Sequence, residues 1–226
     1  RYDLLRTKRP DIFGKLTHWV QLNGVWAVPG TTYGQGILAI RDRAALPDGS
    51  DASLHAANAR IMQAADADSY IYRGLVYLHR GDLPARADFT AAQKRNTRRP
   101  EPYLGIALTH TAEGSTKEAR RAYEAYLKLV PDDAGARYNY GLTLLAENAA
   151  AKTLPVLRDA IHRDAANADA QNALAVALIH TKDYTGAWKT LAGAAAIAPA
   201  NTDILVNQIL LQACLKDISD KKGKKK

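Results

Sequence analysis

Histidine, cysteine and carboxylate side chains are the residues of this sequence that could carry catalysis or bind a metal. The sequence has six histidines: His18, His55, His79, His110, His162 and His180. No two of them have the spacing that would let them bind one metal ion from a single predicted helix. The single cysteine, Cys214, excludes an internal disulfide and a zinc site made of cysteine pairs. The sequence also gives no basis for assembling a catalytic Ser-His-acid triad or Cys-His pair. We therefore expect no enzymatic activity, no metal and no cofactor.

A glycine-rich segment at residues 29–36 is the other feature that could bind a small molecule. Phosphate-binding loops combine glycines with a lysine that reaches the phosphates. Residues 29–36 contain Gly30, Gly34 and Gly36 but no lysine. The segment is therefore interpreted as an ordinary loop.

The net charge of +8 is concentrated near residues 1–9, 94–99 and 221–226. Such clusters are either solvated helix ends and chain ends, or surfaces that attract anionic lipid or nucleic acid. No aromatic residue lies within the central or C-terminal cluster, so nucleic-acid binding by base stacking is not expected. A contact with a membrane surface stays open.

A repeat of about 34 residues organises the middle of the chain. Segments 100–133, 134–167 and 168–201 align without a gap, and 67–99 aligns with one residue deleted. Each segment is predicted to form two short helices joined by a turn. In the second helix, a small residue is followed by a core residue four positions later and by another three positions after that: Ala85, Phe89 and Ala92; Ala119, Tyr123 and Tyr126; Thr153, Leu157 and Ala160; Ala187, Leu191 and Ala194.

The first helices of the segments share a small residue at one equivalent position, which would let the two helices of each segment approach closely. These residues are Gly74, Ala107, Gly141 and Ala175. A closing proline occurs as Pro131 and Pro199.

This pattern resembles the tetratricopeptide repeats over roughly residues 67–201. One departure is Arg73, where that family favours leucine. The resemblance implies an all-α protein, with a right-handed superhelix (α-solenoid) of about four helix-turn-helix repeats. It also implies a scaffold or adaptor that binds protein partners.

The chain is predicted to divide into five parts. These are an N-terminal extension with an amphipathic helix and a loop (1–49), a helix that could be half of a divergent repeat (50–66), four repeats (67–99, 100–133, 134–167 and 168–201), a capping helix (202–217) and a basic, disordered tail (218–226). The chain begins at Arg1 without a methionine, so a leader or anchor could have been removed. A periplasmic or membrane-associated location is favoured over a cytoplasmic one.

The resemblance implies a concave groove lined mainly by the first helices of the repeats. The predicted groove residues are Ile71, Leu75, Leu78, Leu104, Leu108, Tyr138, Leu142, Leu145, Asn172, Val176 and Ile179. An acidic row at its edge includes Asp68, Glu101 and Asp169. Such a groove suits an amphipathic helix or an apolar extended peptide. The alternatives are that terminal helices or a second copy fill it, or that some of these residues are core.

A second interface is predicted in the N-terminal extension, where residues 10–23 have the pattern of an amphipathic helix. Its apolar residues, with one tryptophan beyond the helix, are Ile12, Phe13, Leu16, Trp19, Val20 and Trp26. This face either caps the first repeat or docks onto a partner or a membrane surface.

The functional hypothesis is a bacterial accessory factor in the assembly of an envelope complex, such as a pilus or a secretion system. The alanine-rich composition and the lack of long insertions favour a bacterial protein. The alternative is a structural subunit of a large complex, held through the aromatic N-terminal segment.

Overall fold

The computed structural model describes residues 47, 49–82 and 84–223, with side chains described as far as Lys216. The described residues form ten α-helices and no strand, so the predicted all-α class is confirmed. The helices are α1 Asp51–Gln63, α2 Ala67–Arg80, α3 Ala85–Arg95, α4 Glu101–Ala112, α5 Thr116–Leu129, α6 Ala134–Ala146, α7 Ala150–Arg163, α8 Ala168–His180, α9 Tyr184–Ile197 and α10 Thr202–Gly223.

The described residues separate into two compact units, with the boundary between Asn148 and Ala149. The first unit contains α1 to α6, and the second contains α7 to α10. The predicted third repeat, 134–167, therefore has one helix in each unit. The predicted N-terminal extension lies almost wholly outside the described residues.

The turns between paired helices repeat the same backbone feature. Gly81, Gly114, Asn148 and Lys182 all have a positive φ, between 57° and 73°. Their spacings are 33, 34 and 34 residues, which is the spacing of the sequence repeat with its single deletion. Gly81 and Gly114 adopt this conformation without the steric cost that a β-carbon imposes.

Short polar side chains fix where half of these helices begin. The side chains of Ser50, Asp66, Asp133, Asn167 and Asp183 each accept a hydrogen bond from a backbone N–H in the first turn of the following helix. Each cap satisfies one of the amide donors that the first helical turn leaves without a partner. The predicted start of the helix at Ser50 and Asp51 agrees with the structure.

The core of the first unit is built around aromatic side chains. Phe89, Tyr123 and Tyr126 are almost completely buried, as are the smaller members of the predicted second-helix pattern. The ring of Phe89 lies between two glycines. A β-carbon added to Gly105 would come within 2.5 Å of this ring, and one added to Gly74 within 2.9 Å. The glycines therefore make room for the phenylalanine.

The core of the second unit is aliphatic and contains more alanine. Every residue from Asn172 to Ile179 in α8 is buried. A helix buried on all sides must be apolar around its whole circumference, which explains why this stretch lacks an amphipathic pattern. The helix α10 closes this unit with Ile204 and Leu211, which are fully buried.

The closing helix is longer than the sequence predicted. It continues to Gly223, six residues beyond the predicted end of the capping helix. No proline or glycine interrupts residues 218–222, so nothing in the local sequence stops the helix before Gly223.

Candidate protein-binding surfaces

The predicted groove residues lie mainly in the interior. Ten of the eleven are buried, with exposed fractions of 0–7%, and Leu142 is half-buried. In the first unit, Leu75, Leu104 and Leu108 belong to the same core cluster as Phe89 and Tyr123. These rows thus contribute to stability in the present structure. Partner binding at these positions stays a prediction, and it requires that core side chains become exposed.

The predicted groove position Asn172 has a structural partner in the second unit. The Asn207 side chain donates a hydrogen bond to Asn172 Oδ1 at 2.8 Å, and both residues are fully buried. A buried amide is stable when its polar atoms are bonded. The pair joins α8 to α10, a link that the sequence pattern did not indicate.

The acidic row at the groove edge is largely neutralised within the chain. Arg99 forms ion pairs with both Asp68 and Glu101. In the second unit, the Asn201 side chain donates to Asp169 Oδ1 at 3.0 Å. The acidic row therefore has less negative charge to offer a partner than the sequence alone indicates.

Arg73, the departure from the repeat pattern, is bonded to two helices. Its guanidinium donates to both carboxylate oxygens of Asp88, at 2.7 and 2.8 Å, and to Asn58 Oδ1 at 3.1 Å. It also lies 5.8 Å from the ring centres of Tyr70 and Tyr77. The hydrogen bond to Asp88 raises the pKa of Arg73 above its ordinary value. This cluster replaces the apolar contact that a leucine would make.

The second unit exposes apolar side chains along α9 and α10. Trp188 and Leu205 are 43% and 41% exposed, Leu215 is also exposed, and Ile209 is partly exposed. We refer to these four residues as the apolar seam. Exposed aromatic side chains are enriched among the residues that dominate protein interfaces.

Two contacts join α9 to α10, one on each side of Trp188 along α9. Tyr184 is hydrogen-bonded to Cys214, and the Gln208 side chain donates to the Leu191 carbonyl at 3.4 Å. Trp188 is four residues after Tyr184 and three before Leu191, so it lies on the side of α9 that faces α10. Its exposed ring therefore stands at the junction of the two helices.

Among the described histidines, His110 and His180 are partly buried. Burial lowers the pKa of His110, assisted by the nearby Arg86, and burial alone lowers the pKa of His180. Across the described part of the chain, no group of three or more His, Cys, Asp or Glu side chains could hold a metal ion. Within the same residues, no helix has both the length and the hydropathy to cross a membrane.

The second predicted interface lies outside the described residues. It comprises Ile12, Phe13, Leu16, Trp19, Val20 and Trp26, and it stays a prediction. The basic residues 224–226 are outside as well.

Comparison with family models identifies tetratricopeptide repeats at residues 100–143 and 150–202. A search of curated proteins finds no significant match.

Solved structures with the same fold come from several bacteria. MamA from Desulfovibrio magneticus (residues 41 to the end) is 18% identical, with a TM-score of 0.58, covering 70% of this chain and 96% of that chain. A thermophilic TPR protein of Thermus thermophilus is 17% identical, with a TM-score of 0.55 and coverages of 80% and 99%. A tetratricopeptide repeat protein from Parabacteroides merdae is 15% identical, with a TM-score of 0.64 and coverages of 86% and 77%. At these identities the likeness concerns the fold.

Proposed function

Because the chain belongs to the tetratricopeptide-repeat family, we propose that it is a non-catalytic scaffold that binds a protein partner through the apolar seam. The observation that carries this proposal is Trp188, a tryptophan left 43% exposed at a helix junction. Tryptophan is enriched among the residues that dominate the binding energy of protein interfaces. The exposed part of this side chain packs against nothing in its own unit, so a contact outside the unit is the better explanation for it.

The seam suits an amphipathic helix. Leu205 and Ile209 are one helical turn apart, so they lie on the same exposed side of α10. Apolar residues at this spacing are the kind of row against which a partner helix packs.

The predicted groove is a separate proposal within the same function. Its residues are the buried ones described above, so a partner would have to displace whatever covers them. The seam needs no such rearrangement, and we favour it for that reason.

We also propose a biological setting in a bacterial envelope assembly, such as a pilus or a secretion system. Support comes from the alanine-rich composition, the absence of long insertions and the repeat architecture. Capture from the native host would test this setting. Partners drawn from an envelope complex would support it, and partners drawn only from cytosolic complexes would contradict it.

The alternative proposal is a structural subunit of a larger complex, docked through its aromatic N-terminal segment. Two of the three tryptophans, Trp19 and Trp26, lie in that segment. Deletion of residues 10–28 should then release the chain from its complex, while substitution of Trp188 should not.

The test of the seam is affinity capture from native extract with the intact chain and with Trp188→Ser. The matched control is Met62→Ser, which removes a more exposed apolar side chain, at 88%, from the first unit. We expect Trp188→Ser to reduce the amount of captured partner by about tenfold or more. The control should capture as much as the intact chain. Equal retention by both folded variants would exclude the seam as the binding surface.

A further inference from the structure

The outer face of α3 carries more positive charge than its ion pairs with the described residues compensate. Its exposed charged residues are Arg86, Lys94 and Arg95. The only acid of this helix, Asp88, is buried and bonded to Arg73. All of the exposed charges on this helix are therefore positive.

The loop after α3 extends the same basic surface. It adds Arg98, which is exposed, and Arg99, which already pairs with Asp68 and Glu101. Arg86 likewise pairs with Glu113. In the part of the chain that the structure describes, Lys94, Arg95 and Arg98 make no ion pair. We refer to Arg86, Lys94, Arg95 and Arg98 as the basic face.

A shallow depression of about 480 Å³ runs along this helix. Its lining consists of Arg86, Ala87, Thr90, Ala91, Lys94 and Arg95. The two alanines leave space beside the helix, and the Thr90 hydroxyl already donates to the Arg86 carbonyl at 2.8 Å. Among the described residues that line the depression there is no carboxylate, and the one acid paired with its lining is Glu113, on Arg86.

Arg95 is held in position although it is exposed. Its guanidinium lies 4.2 Å from the ring centre of Tyr70, and it donates to the carbonyls of Ala65 and Ala91 at 2.6 and 2.9 Å. A side chain that is already ordered loses little conformational entropy when it binds an anion. The face is thus partly preorganised.

We propose that the basic face binds an acidic segment of a protein partner. The inference deepens the proposed scaffold function and rests on it, because it assigns a second contact to the partner. Eight residues of helix separate Arg86 from Lys94, which is about 12 Å. Four residues of extended chain span about 13 Å, so carboxylates four residues apart in an extended segment match these two positions.

Lipid and nucleic acid fit the face less well than an acidic peptide does. Among the residues that line the depression, the apolar ones are alanines, which are too small to insert into a bilayer. The nearest aromatic ring, Tyr70, is covered by Arg95 and cannot stack on a base.

The test uses the full chain and a fluorescein-labelled glutamate-rich peptide, with the glutamine version of the same peptide as a control. Lys94→Gln/Arg98→Gln is compared with Lys117→Gln/Arg121→Gln, which removes the same charges from exposed positions on α5. Neither pair is buried, so both variants should fold, and circular dichroism checks this. We expect the first variant to bind the glutamate peptide about tenfold more weakly, and the second to stay within about twofold of the intact chain.

Three outcomes would overturn the proposal. Equal losses in the two variants would mean that only the net charge of the chain matters. Equal binding of the glutamate and glutamine peptides would exclude charge recognition. The first variant could also lose binding to phosphatidylglycerol vesicles or to a single-stranded oligonucleotide while it binds the peptide normally. That result would assign the face to lipid or to nucleic acid instead. Since the probe does not involve Trp188, these results are independent of the seam.

Discussion

In the first unit Phe89 and Tyr123 occupy the large core position of the second helix, and in the second unit Leu157 and Leu191 occupy it. The first unit surrounds its aromatic core with ion pairs and keeps a basic outer face. The second unit packs alanine and leucine around a buried helix and leaves Trp188 exposed. The repeat thus constrains the backbone and the size of a few core residues. It leaves the outer surfaces free to acquire different partners.

The largest expected effect is the loss of an aromatic core residue. Phe89→Ala removes a fully buried ring and should lower the free energy of unfolding by about 3–5 kcal/mol. Leu191→Ala, at the equivalent position of the second unit, should cost about 2–5 kcal/mol. Chemical denaturation monitored by circular dichroism measures both. A cost below about 1 kcal/mol for Phe89→Ala would contradict the aromatic core.

The next prediction concerns Arg73, which has no counterpart in the second unit. Arg73→Leu restores the residue that the repeat family favours but leaves the buried Asp88 carboxylate without its cation. Breaking a buried pair in this way typically costs about 3–5 kcal/mol, and the partial exposure of Arg73 places it near the lower end. The double variant Arg73→Leu/Asp88→Ala should recover most of the loss. Denaturation that shows no recovery would mean that Asp88 is not the reason for the cost.

Two glycine substitutions should have opposite signs in the two units. Gly105→Ala forces a β-carbon against the buried Phe89 ring and should destabilise by about 1–3 kcal/mol. In α9, a β-carbon at Gly193 meets only the end of the Gln171 side chain, at 2.9 Å, which is able to move. Gly193→Ala should therefore stabilise by about 0.5–1 kcal/mol, because alanine favours the helix. Thermal unfolding of both variants checks the signs, and a stabilised Gly105→Ala would disprove the close packing.

The smallest expected effect is a pH dependence centred on His180 in the second unit. Burial lowers its pKa below the ordinary value of 6.5, so the unfolded chain binds a proton that the folded chain excludes. Stability that is present above pH 6.5 should therefore be lost as the pH falls towards the lower, folded pKa. His180→Gln should flatten this decline in denaturation midpoints, whereas substitution of the exposed His162 should not. An unchanged decline in His180→Gln would assign the effect to another group, such as His110.

Much of the fold could be predicted from the sequence because helix packing requires the same residue types at the same positions in every repeat. Phe89, Tyr123, Leu157 and Leu191 recur because each hairpin must fill one volume between its helices. The small residues at Gly74 and its equivalents recur because a large neighbour occupies the adjacent space. These requirements are local and periodic, so the order of the residues reveals them.

The binding surface could not be predicted in the same way. An apolar residue such as Leu104 occupies the same position in the helical pattern whether it lines a groove or fills a core. The sequence therefore does not distinguish the two. Arg73 looks like an exception until Asp88, 15 residues away, is brought beside it by the hairpin. The sequence pattern does not mark Trp188 as exposed, because it lies between Ala187 and Leu191, two residues of the repeated core pattern. Exposure depends on neighbouring elements, and a single sequence does not report them.

We expect a partner to contact the apolar seam of the second unit. The most direct measurement places a photo-crosslinking amino acid at Trp188 in one full-length variant and at Met62 in another. Irradiation in native extract should give a defined adduct from the Trp188 position and none from Met62. An adduct of the same partner from Met62 alone, or from neither position while capture by the intact chain persists, would contradict the account.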